Sequence, residues 1–252
     1  MDINSIRNRL NQLQTTNNRT SNLWKPQPGK QVIRVLPYKH NKDNPFIELF
    51  FHFGLNNKTY LSPITFGRPD PIEEFAQKLK TSGNREEYQM ARKLEAKMRT
   101  FAPVIVRGEE TQGVRFWGFG KTVYQELLSV IADPDYGDIT DPVSGRDVSV
   151  EFITAEESGA SFPKTAIRVK PNQTPIVEDK AKLENLLENQ KDITELYQEL
   201  SYEELTGVLN QWLNPESEGT EETKETAPTS AVAAESAKVE DASAAFDELF
   251  NK

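Results

Sequence analysis

The chain has 252 residues, enough to build one large or two ordinary hydrophobic cores without disulfides or metal ions. Lys and Arg number 30 against 39 Asp and Glu, and the resulting net charge of −9 argues, for the chain as a whole, against an anionic partner such as nucleic acid or membrane. With no cysteine and 2 histidines, disulfides, thiolate nucleophiles, cysteine-ligated metals and multi-histidine metal centres are excluded. No apolar run reaches membrane-spanning length and the first residues do not resemble a signal peptide, so we expect a soluble cytoplasmic protein without cofactors.

The negative charge is concentrated at one end of the chain. Residues 216–252 hold 10 acids and 3 bases, and residues 176–215 hold 9 acids and 3 bases. The preceding body, residues 1–175, therefore carries +4. This asymmetry predicts a body that binds polyanions and a disordered acidic tail that competes for the same site, although a merely solubilising tail is the alternative.

The predicted elements mix strands and helices without a regular βαβ rhythm. An amphipathic arm in residues 1–23 precedes strands at KQVIRVLP, NPFIELFFHFG and KTYLS, and two helices follow between Pro71 and Thr100. Strands APVIVRG and GVRFWGFG, helix TVYQELLSVIAD, and strands DVSVEFIT and KTAIRVK come next. The acidic segment, residues 176–215, should add two or three helices. The expected class is α+β: a mostly antiparallel, partly open barrel over residues 24–175 with a helical insertion at about 71–100.

The segment GVRFWGFGK is the most informative motif. As a strand it places Arg115, Trp117 and Phe119 on one face and Val114 and Phe116 on the other. A cation beside two flat rings suits single-stranded nucleic acid, because bases stack on rings while guanidinium groups meet phosphates. An equally good interpretation is that another element covers both rings.

A second strand, KTAIRVK, carries cations on one face. Lys164, Arg168 and Lys170 alternate with Thr165, Ile167 and Val169, which predicts either a solvated edge or a track for phosphates. Arg85, Arg92 and Arg99 recur every seven residues on the second predicted helix, and Arg107 ends the APVIVR strand. These stripes are candidates for lining one basic groove.

Two other motifs imitate enzyme or metal sites. Gly120-Lys121-Thr122 lies between a predicted strand and helix, as in a phosphate-binding loop, but Arg115 stands where that motif needs its first glycine. A nucleotide hydrolase is therefore kept only as an alternative, and we expect no enzyme. The acidic loop from Asp133 to Asp141 departs from the calcium-loop pattern and is interpreted as a solvated turn.

The order of motifs resembles the helix-destabilising single-stranded DNA-binding proteins of T-even-type bacteriophages. The similarity runs from about Trp24 to Pro175 and is most specific at QVIRVLP, FFHFG, KTYLSPITFGRPDPIEEF, FAPVIV, VRFWGFGK and SGASFPK. The resemblance implies an OB-like barrel with a helical subdomain beside a basic cleft. It also implies an N-terminal arm for cooperative contact between neighbours and an acidic tail for replication partners.

The resemblance also implies roles for particular residues. It makes Arg34, Lys97, Arg99, Arg107, Arg115 and Lys121 contacts for the DNA backbone, and Tyr60, Phe101, Trp117 and Phe162 stacking or cleft aromatics. Phe119, Lys164 and Arg168 join this set from the strand patterns above. In the arm, Arg7, Arg9 and Arg19 resemble the family's basic cooperativity motif.

The zinc site of related proteins is altered in this chain. Where a zinc form has one histidine and three cysteines, this sequence has His52, Ser62, Asp70 and Glu73. Because all three thiolates are replaced, we expect no metal and a subdomain stabilised by apolar packing instead.

These observations predict a sequence-nonspecific, cooperative single-stranded DNA-binding protein of phage replication, recombination and repair, acting in the host cytoplasm. An RNA-binding or recombination-mediator module is the runner-up. The tail tip should bind a polymerase, primase or helicase, helicase loader or recombination mediator through Phe246, Asp247, Glu248, Leu249 and Phe250.

Overall fold

The computed structural model describes residues 22–214 together with Phe246, Leu249 and Phe250. The N-terminal arm with Arg7, Arg9 and Arg19 lies outside the described residues, as do Asp247, Glu248 and most of the acidic tail. The chain divides into two compact units. The first unit comprises Met1–Leu49 and Met98–Gln198, and the second comprises Phe50–Lys97 and Glu199–Lys252.

Within the described residues, eight strands and six α-helices give the α+β class that the sequence predicts. The strands are β1 (Leu23–Trp24), β2 (Gly29–Val35), β3 (Ile47–Leu55), β4 (Lys58–Leu61), β5 (Lys97–Val106), β6 (Arg115–Phe119), β7 (Arg146–Ile153) and β8 (Lys164–Gln173). The helices are α1 (Pro71–Thr81), α2 (Arg85–Leu94), α3 (Lys121–Ile131), α4 (Ala155–Ser158), α5 (Lys180–Glu188) and α6 (Tyr202–Leu213), and three short 3-10 helices occur at Pro63–Phe66, Glu110–Gln112 and Ile193–Leu196.

The sheet of the first unit follows the order β1-β6-β5-β2-β7-β8. Antiparallel ladders join β6 to β5, β5 to β2, β2 to β7 and β7 to β8, while the two-residue β1 runs parallel to β6. One face of this sheet buries an apolar cluster that includes Ile33, Val104, Trp117 and Val148, closed by Leu127 of α3. This cluster is the main core of the first unit, because every second residue of a strand sends its side chain to the same face.

The opposite face of the same sheet is also covered. Leu36 and Ile105 pack against Ile176, and Leu183 and Leu187 of α5 lie over them. After α5, Asp192 accepts a hydrogen bond from the hydroxyl of Tyr38, with 3.3 Å between the oxygens. The segment after β8 therefore seals the outer face of β2, β5 and β6, and the acidic segment of the sequence forms part of the fold.

The second unit is built around the hairpin β3–β4 and the helices α1, α2 and α6. Asn56 and Asn57 form the hairpin turn with positive φ angles of 50° and 57°, a conformation that asparagine tolerates better than most residues. Phe75, Leu79, Leu94 and Leu205 form its apolar core. The predicted second helix is shorter than expected: α2 ends at Leu94, and Lys97 and Arg99 begin strand β5. Tyr88 of this helix is exposed, although its helical spacing from Ala91 and Leu94, both buried, would suggest the apolar side.

Candidate nucleic-acid interface

Strand β8 has the alternating faces that the sequence predicts. Ile167 and Val169 turn toward the core, whereas Lys164, Arg168 and Lys170 are exposed. Arg168 lies opposite Ser149 of β7, a neutral residue. The outward side of this strand therefore presents three cations, and we call Lys164, Arg168 and Lys170 the β8 basic face.

One neighbouring acid is already partnered. Glu151 of β7 lies opposite Ala166 of β8 and opposite Lys30 of β2. Its carboxylate pairs with the ammonium group of Lys30 at 3.7 Å, so it does not neutralise the β8 basic face. Within residues 22–214, the cations of this face take part in no ion pair.

An exposed aromatic ring precedes the β8 basic face along the chain. Phe162 is 78 % exposed and stands two residues before Lys164. The loop that carries it follows α4, which ends at Ser158 and is capped by Gly159 with a φ of 62°. An apolar ring held this far into water costs free energy unless something covers it, and a nucleobase has the flat shape to do so.

A second group of exposed cations lies where β5 meets the start of α3. Arg99 and Lys121 are both exposed. The Nη1 atom of Arg99 lies 3.8 Å from the position that a Cβ atom on Gly120 would occupy, next to Lys121 in the chain. Two cations close to one helix N-terminus favour an anion there, because the backbone N–H groups of the first turn add to their field.

The face of β6 that carries Trp117 and Phe119 is buried. Of the two interpretations of this strand, the one in which another element covers both rings is therefore the one observed. Trp117 and Phe119 are 1 % and 3 % exposed and belong to the main core of the first unit. Trp24 of β1 meets the Trp117 ring edge-on, with centroids 5.8 Å apart. A buried ring offers no face to a base, so the assignment of Trp117 and Phe119 to base stacking is wrong for this conformation.

Two predicted DNA-contacting arginines instead form an internal network around Asp147. Arg34 is fully buried and its Nη1 lies 3.2 Å from the Asp147 carboxylate. Arg107 Nη2 donates to the same carboxylate at 2.8 Å, and its Nη1 donates to the carbonyl of Ile176 at 2.6 Å. Burial lowers the pKa of Arg34, and the negative charge of Asp147 opposes that shift. Hydrogen bonds from these arginines connect the segment after β8 to the sheet. Because Arg34 is fully buried in this network, it is not part of the candidate interface.

Two further candidates are engaged within the protein. Arg115 pairs with Glu109 at 2.6 Å and bonds Gln112 at 2.8 Å, so its charge is compensated locally. The buried Phe101 lies over Gly118, where a Cβ atom would approach its ring to 2.7 Å, and its centroid is 5.9 Å from that of Tyr197. Phe101 is therefore a packing residue.

In the second unit, Tyr60 is half-buried beside the apolar core, and burial raises the pKa of its hydroxyl. Lys97 at the start of β5 is exposed. The candidates that keep an exposed charge or ring are therefore Lys97, Arg99, Lys121, Phe162, Lys164 and Arg168. Lys170 belongs to the strand pattern but is not among the DNA contacts predicted from the sequence. The sequence does not reveal the role of Asp147, because a single acid in a strand gives no sign of its buried partners.

Three of the four zinc-site positions form a buried hydrogen-bonded cluster in the second unit. His52 accommodates two acceptors: Nδ1 lies 2.6 Å from the Leu94 carbonyl and Nε2 lies 2.9 Å from Asp70 Oδ2. Ser62 donates its hydroxyl to the same carboxylate oxygen. Asp70 Oδ1 accepts from the backbone N–H groups of Ile72 and Glu73, at 2.9 and 3.2 Å, and so caps α1.

This cluster does not fit zinc. Its oxygen and nitrogen atoms are already bonded to one another, no thiolate is available, and Glu73 accepts instead from the backbone N–H of Ala96. Among residues 22–214 no group of histidine and acidic side chains is arranged to hold a metal ion. Burial alone would raise the pKa of Asp70, but the hydrogen bond and charge of His52, with the bonds from Ser62 and Glu73, bring it below the ordinary value.

The phosphate-loop imitation has no loop. Strand β6 ends at Phe119 and helix α3 begins at Lys121, so Gly120 is the whole connection and cannot wrap a phosphate.

The acidic stretch after α3 is a set of turns in which Asp138 and Asp141 accept hydrogen bonds from nearby backbone N–H groups, at 2.8 Å from Thr140 and 2.9 Å from Val143. None of the helices in the described part of the chain combines the length and apolar character of a membrane span.

An α+β fold with an exposed basic strand and an exposed ring beside it is typical of a nucleic-acid-binding protein. The family model described as gp32 DNA binding protein like matches residues 27–213, which is most of the chain, and the chain belongs to this family. Membership supports a single-stranded DNA-binding role and confirms the resemblance seen in the motifs. A comparison with curated proteins gave no match.

Proposed function

We propose that this protein binds single-stranded DNA without sequence preference, through phosphate contacts from the β8 basic face and stacking on Phe162. The observation that carries the proposal is the row of three exposed cations on β8, which form no ion pair with any residue of 22–214, directly after a ring that is 78 % exposed. Arg99 and Lys121 at the start of α3 extend the positive surface of the same unit. Cations follow a backbone and a ring accepts any base, so this combination provides affinity but no sequence readout.

The proposed biological role is coating exposed strands during replication, recombination and repair in the cytoplasm of a phage-infected host. The protein is not an enzyme in this proposal. The arm with Arg7, Arg9 and Arg19 is proposed to join neighbours along the strand. The acidic tail is proposed to compete with DNA for the basic surface and to contact replication and recombination proteins.

The test is a titration of the full chain with oligo(dT), with an RNA and a duplex of equal length, at several salt concentrations. We expect the single-stranded DNA affinity to exceed the other two and to fall as salt rises, because bound cations release the counterions of the strand. A preference for RNA would replace the DNA assignment with the RNA-binding alternative. Binding that is insensitive to salt would contradict the phosphate contacts.

Intrinsic tryptophan fluorescence is a poor signal for this titration. Trp24 and Trp117 lie in the core of the first unit, and Trp212 packs against the core of the second. A dye on the oligonucleotide reports binding directly, and a Phe162→Trp variant reports stacking. Quenching of the new tryptophan by oligo(dT) is the expected result.

A further inference from the structure

The end of the acidic tail returns to the second unit and packs into it. Phe246 is 4 % exposed and belongs to the same apolar core as Leu205 and Leu209 of α6. Its ring meets that of Phe75 on α1 edge-on, with centroids 6.1 Å apart. Phe250 follows one helical turn later, 4.9 Å from the Phe246 ring and 6.4 Å from the ring of Tyr202.

The two phenylalanines form one face of a helical turn. Residues separated by four positions lie one above the other on a helix, so Phe246 and Phe250 both face the apolar core of the second unit. Leu249, between them in sequence, is exposed. A buried Phe246 and a half-buried Phe250 beside an exposed Leu249 show that the contact is selective for one face and is not a general collapse of the tip.

We infer that the groove between α1 and α6 is a docking site for the Phe246–Phe250 tip of the same chain, and that docking holds the tip out of reach of other proteins. Partner binding by the tip, which is part of the proposed function, then requires the tip to leave this groove. The docking itself concerns the chain without DNA or partners. Its test is therefore independent of the test of DNA binding.

Chain connectivity favours docking within one molecule. Helix α6 forms a wall of the groove and ends at Leu213, and residues 215–245 link it to Phe246. A random-coil link of 31 residues would have an average span of roughly 30 Å, and links of that span give millimolar effective concentrations. A second copy of the protein must compete with that local concentration.

Docking also closes the acidic tail into a loop. Residues 215–245 contain 8 acids and 2 bases, and both ends of this segment are attached to the second unit when Phe246 is docked. A charged segment held at two ends samples less space than one held at one end. The groove therefore controls where the negative charge of the tail is available.

The test uses spin labels, which the cysteine-free chain accepts without background labelling. Labels on Glu203→Cys, in the exposed first turn of α6, and on Lys252→Cys report the distance between groove and tip in the full chain. We expect a short, narrow distance distribution that becomes long and broad in Phe246→Ala/Phe250→Ala. The matched control Leu249→Ala, which truncates the exposed neighbour, should keep the short distance.

Two further measurements make the result decisive. A synthetic peptide of residues 241–252, added in excess over the millimolar effective concentration of the attached tip, should displace the tip and lengthen the distance without altering the fold. A distribution that is broad from the start, or that peptide above this concentration leaves unchanged, would overturn the inference. A short distance that disappears when labelled protein is diluted with unlabelled protein would overturn the intramolecular form, because the tip would then dock on another copy.

Discussion

His52 and Asp70 form a fully buried pair, with 2.9 Å between Nε2 and Oδ2, at two positions where zinc-binding relatives are expected to hold the ion. The Nδ1 atom of His52 faces the carbonyl of Leu94, so both ring nitrogens of His52 lie beside oxygen acceptors. The hydroxyl of Ser62 completes the carboxylate's partners. Hydrogen bonds thus join β3 to the start of α1, where the resemblance implies a metal in other members.

The first prediction concerns the stability of this pair. Asp70→Ala removes both the partner of His52 and the cap of α1, and breaking a buried pair typically costs about 3–5 kcal/mol of unfolding free energy. Asp179→Ala is the matched control, because Asp179 caps α5 through two backbone N–H groups but is exposed, and a cap alone is worth about 1 kcal/mol. Denaturant unfolding of both variants checks the difference. Equal losses would show that the His52 contact adds nothing.

The second prediction concerns acid. The pKa of Asp70 is lowered in the folded state, so its contribution to stability is complete above the unfolded-state value near 4 and is lost as the pH falls through the lower folded value. The stability advantage of the wild type over Asp70→Asn should therefore shrink as the pH is lowered below about 4. Unfolding curves between neutral pH and acid measure it. An advantage that grows with acidity would contradict the assigned direction.

The third prediction is a designed metal site. Ser62→Cys/Asp70→Cys/Glu73→Cys, combined with native His52, supplies three thiolates and an imidazole, the ligand set that structural zinc prefers. We expect elemental analysis to find one zinc per chain in this variant and a chelator to lower its melting temperature. The wild type, purified in the same zinc-containing buffer, is the control and should hold none. A tightly held zinc in the wild type would reverse our account of the cluster.

The fourth prediction concerns the β8 basic face. Lys164→Gln/Arg168→Gln removes two exposed charges without disturbing the inward residues of the strand. For single strands each lost phosphate contact lowers the salt slope by about 0.7, so the pair should lower it by about 1.4 and weaken binding at low salt. Lys180→Gln/Lys182→Gln, on the exposed side of α5, makes the same charge change elsewhere and should have a smaller effect. Oligo(dT) titrations at several salt concentrations compare the two.

The fifth prediction separates the charge of the tail from its docked tip. Deleting residues 216–252 should tighten DNA binding at low salt, but it also removes Phe246 from the core of the second unit. Replacing Glu216, Glu218, Glu221 and Glu222 by Gln leaves the tip intact. If the acids compete with DNA, this variant binds oligo(dT) more tightly at low salt and equally at high salt. Unchanged affinity at low salt would leave the acids without a competing role.

The periodicity of the sequence predicted most strands and helices, because alternation and helical spacing are local properties. It placed Arg99 on a helix, since the seven-residue spacing of Arg85, Arg92 and Arg99 continues past Leu94, where α2 ends. What it could not reveal is what covers each strand face. Trp117 is buried by Trp24, and Arg34 by a segment near Thr174, and both contacts join residues far apart in the chain.

Strand β8 is the last strand in the described sheet order, with β7 as its neighbour. A strand in that position exposes unpaired backbone groups that can recruit a strand from another molecule. Lysines and a proline discourage such pairing, and Lys164, Lys170 and Pro171 stand on this strand. The cations proposed to hold DNA therefore also guard this edge of the sheet against pairing with a strand of another copy.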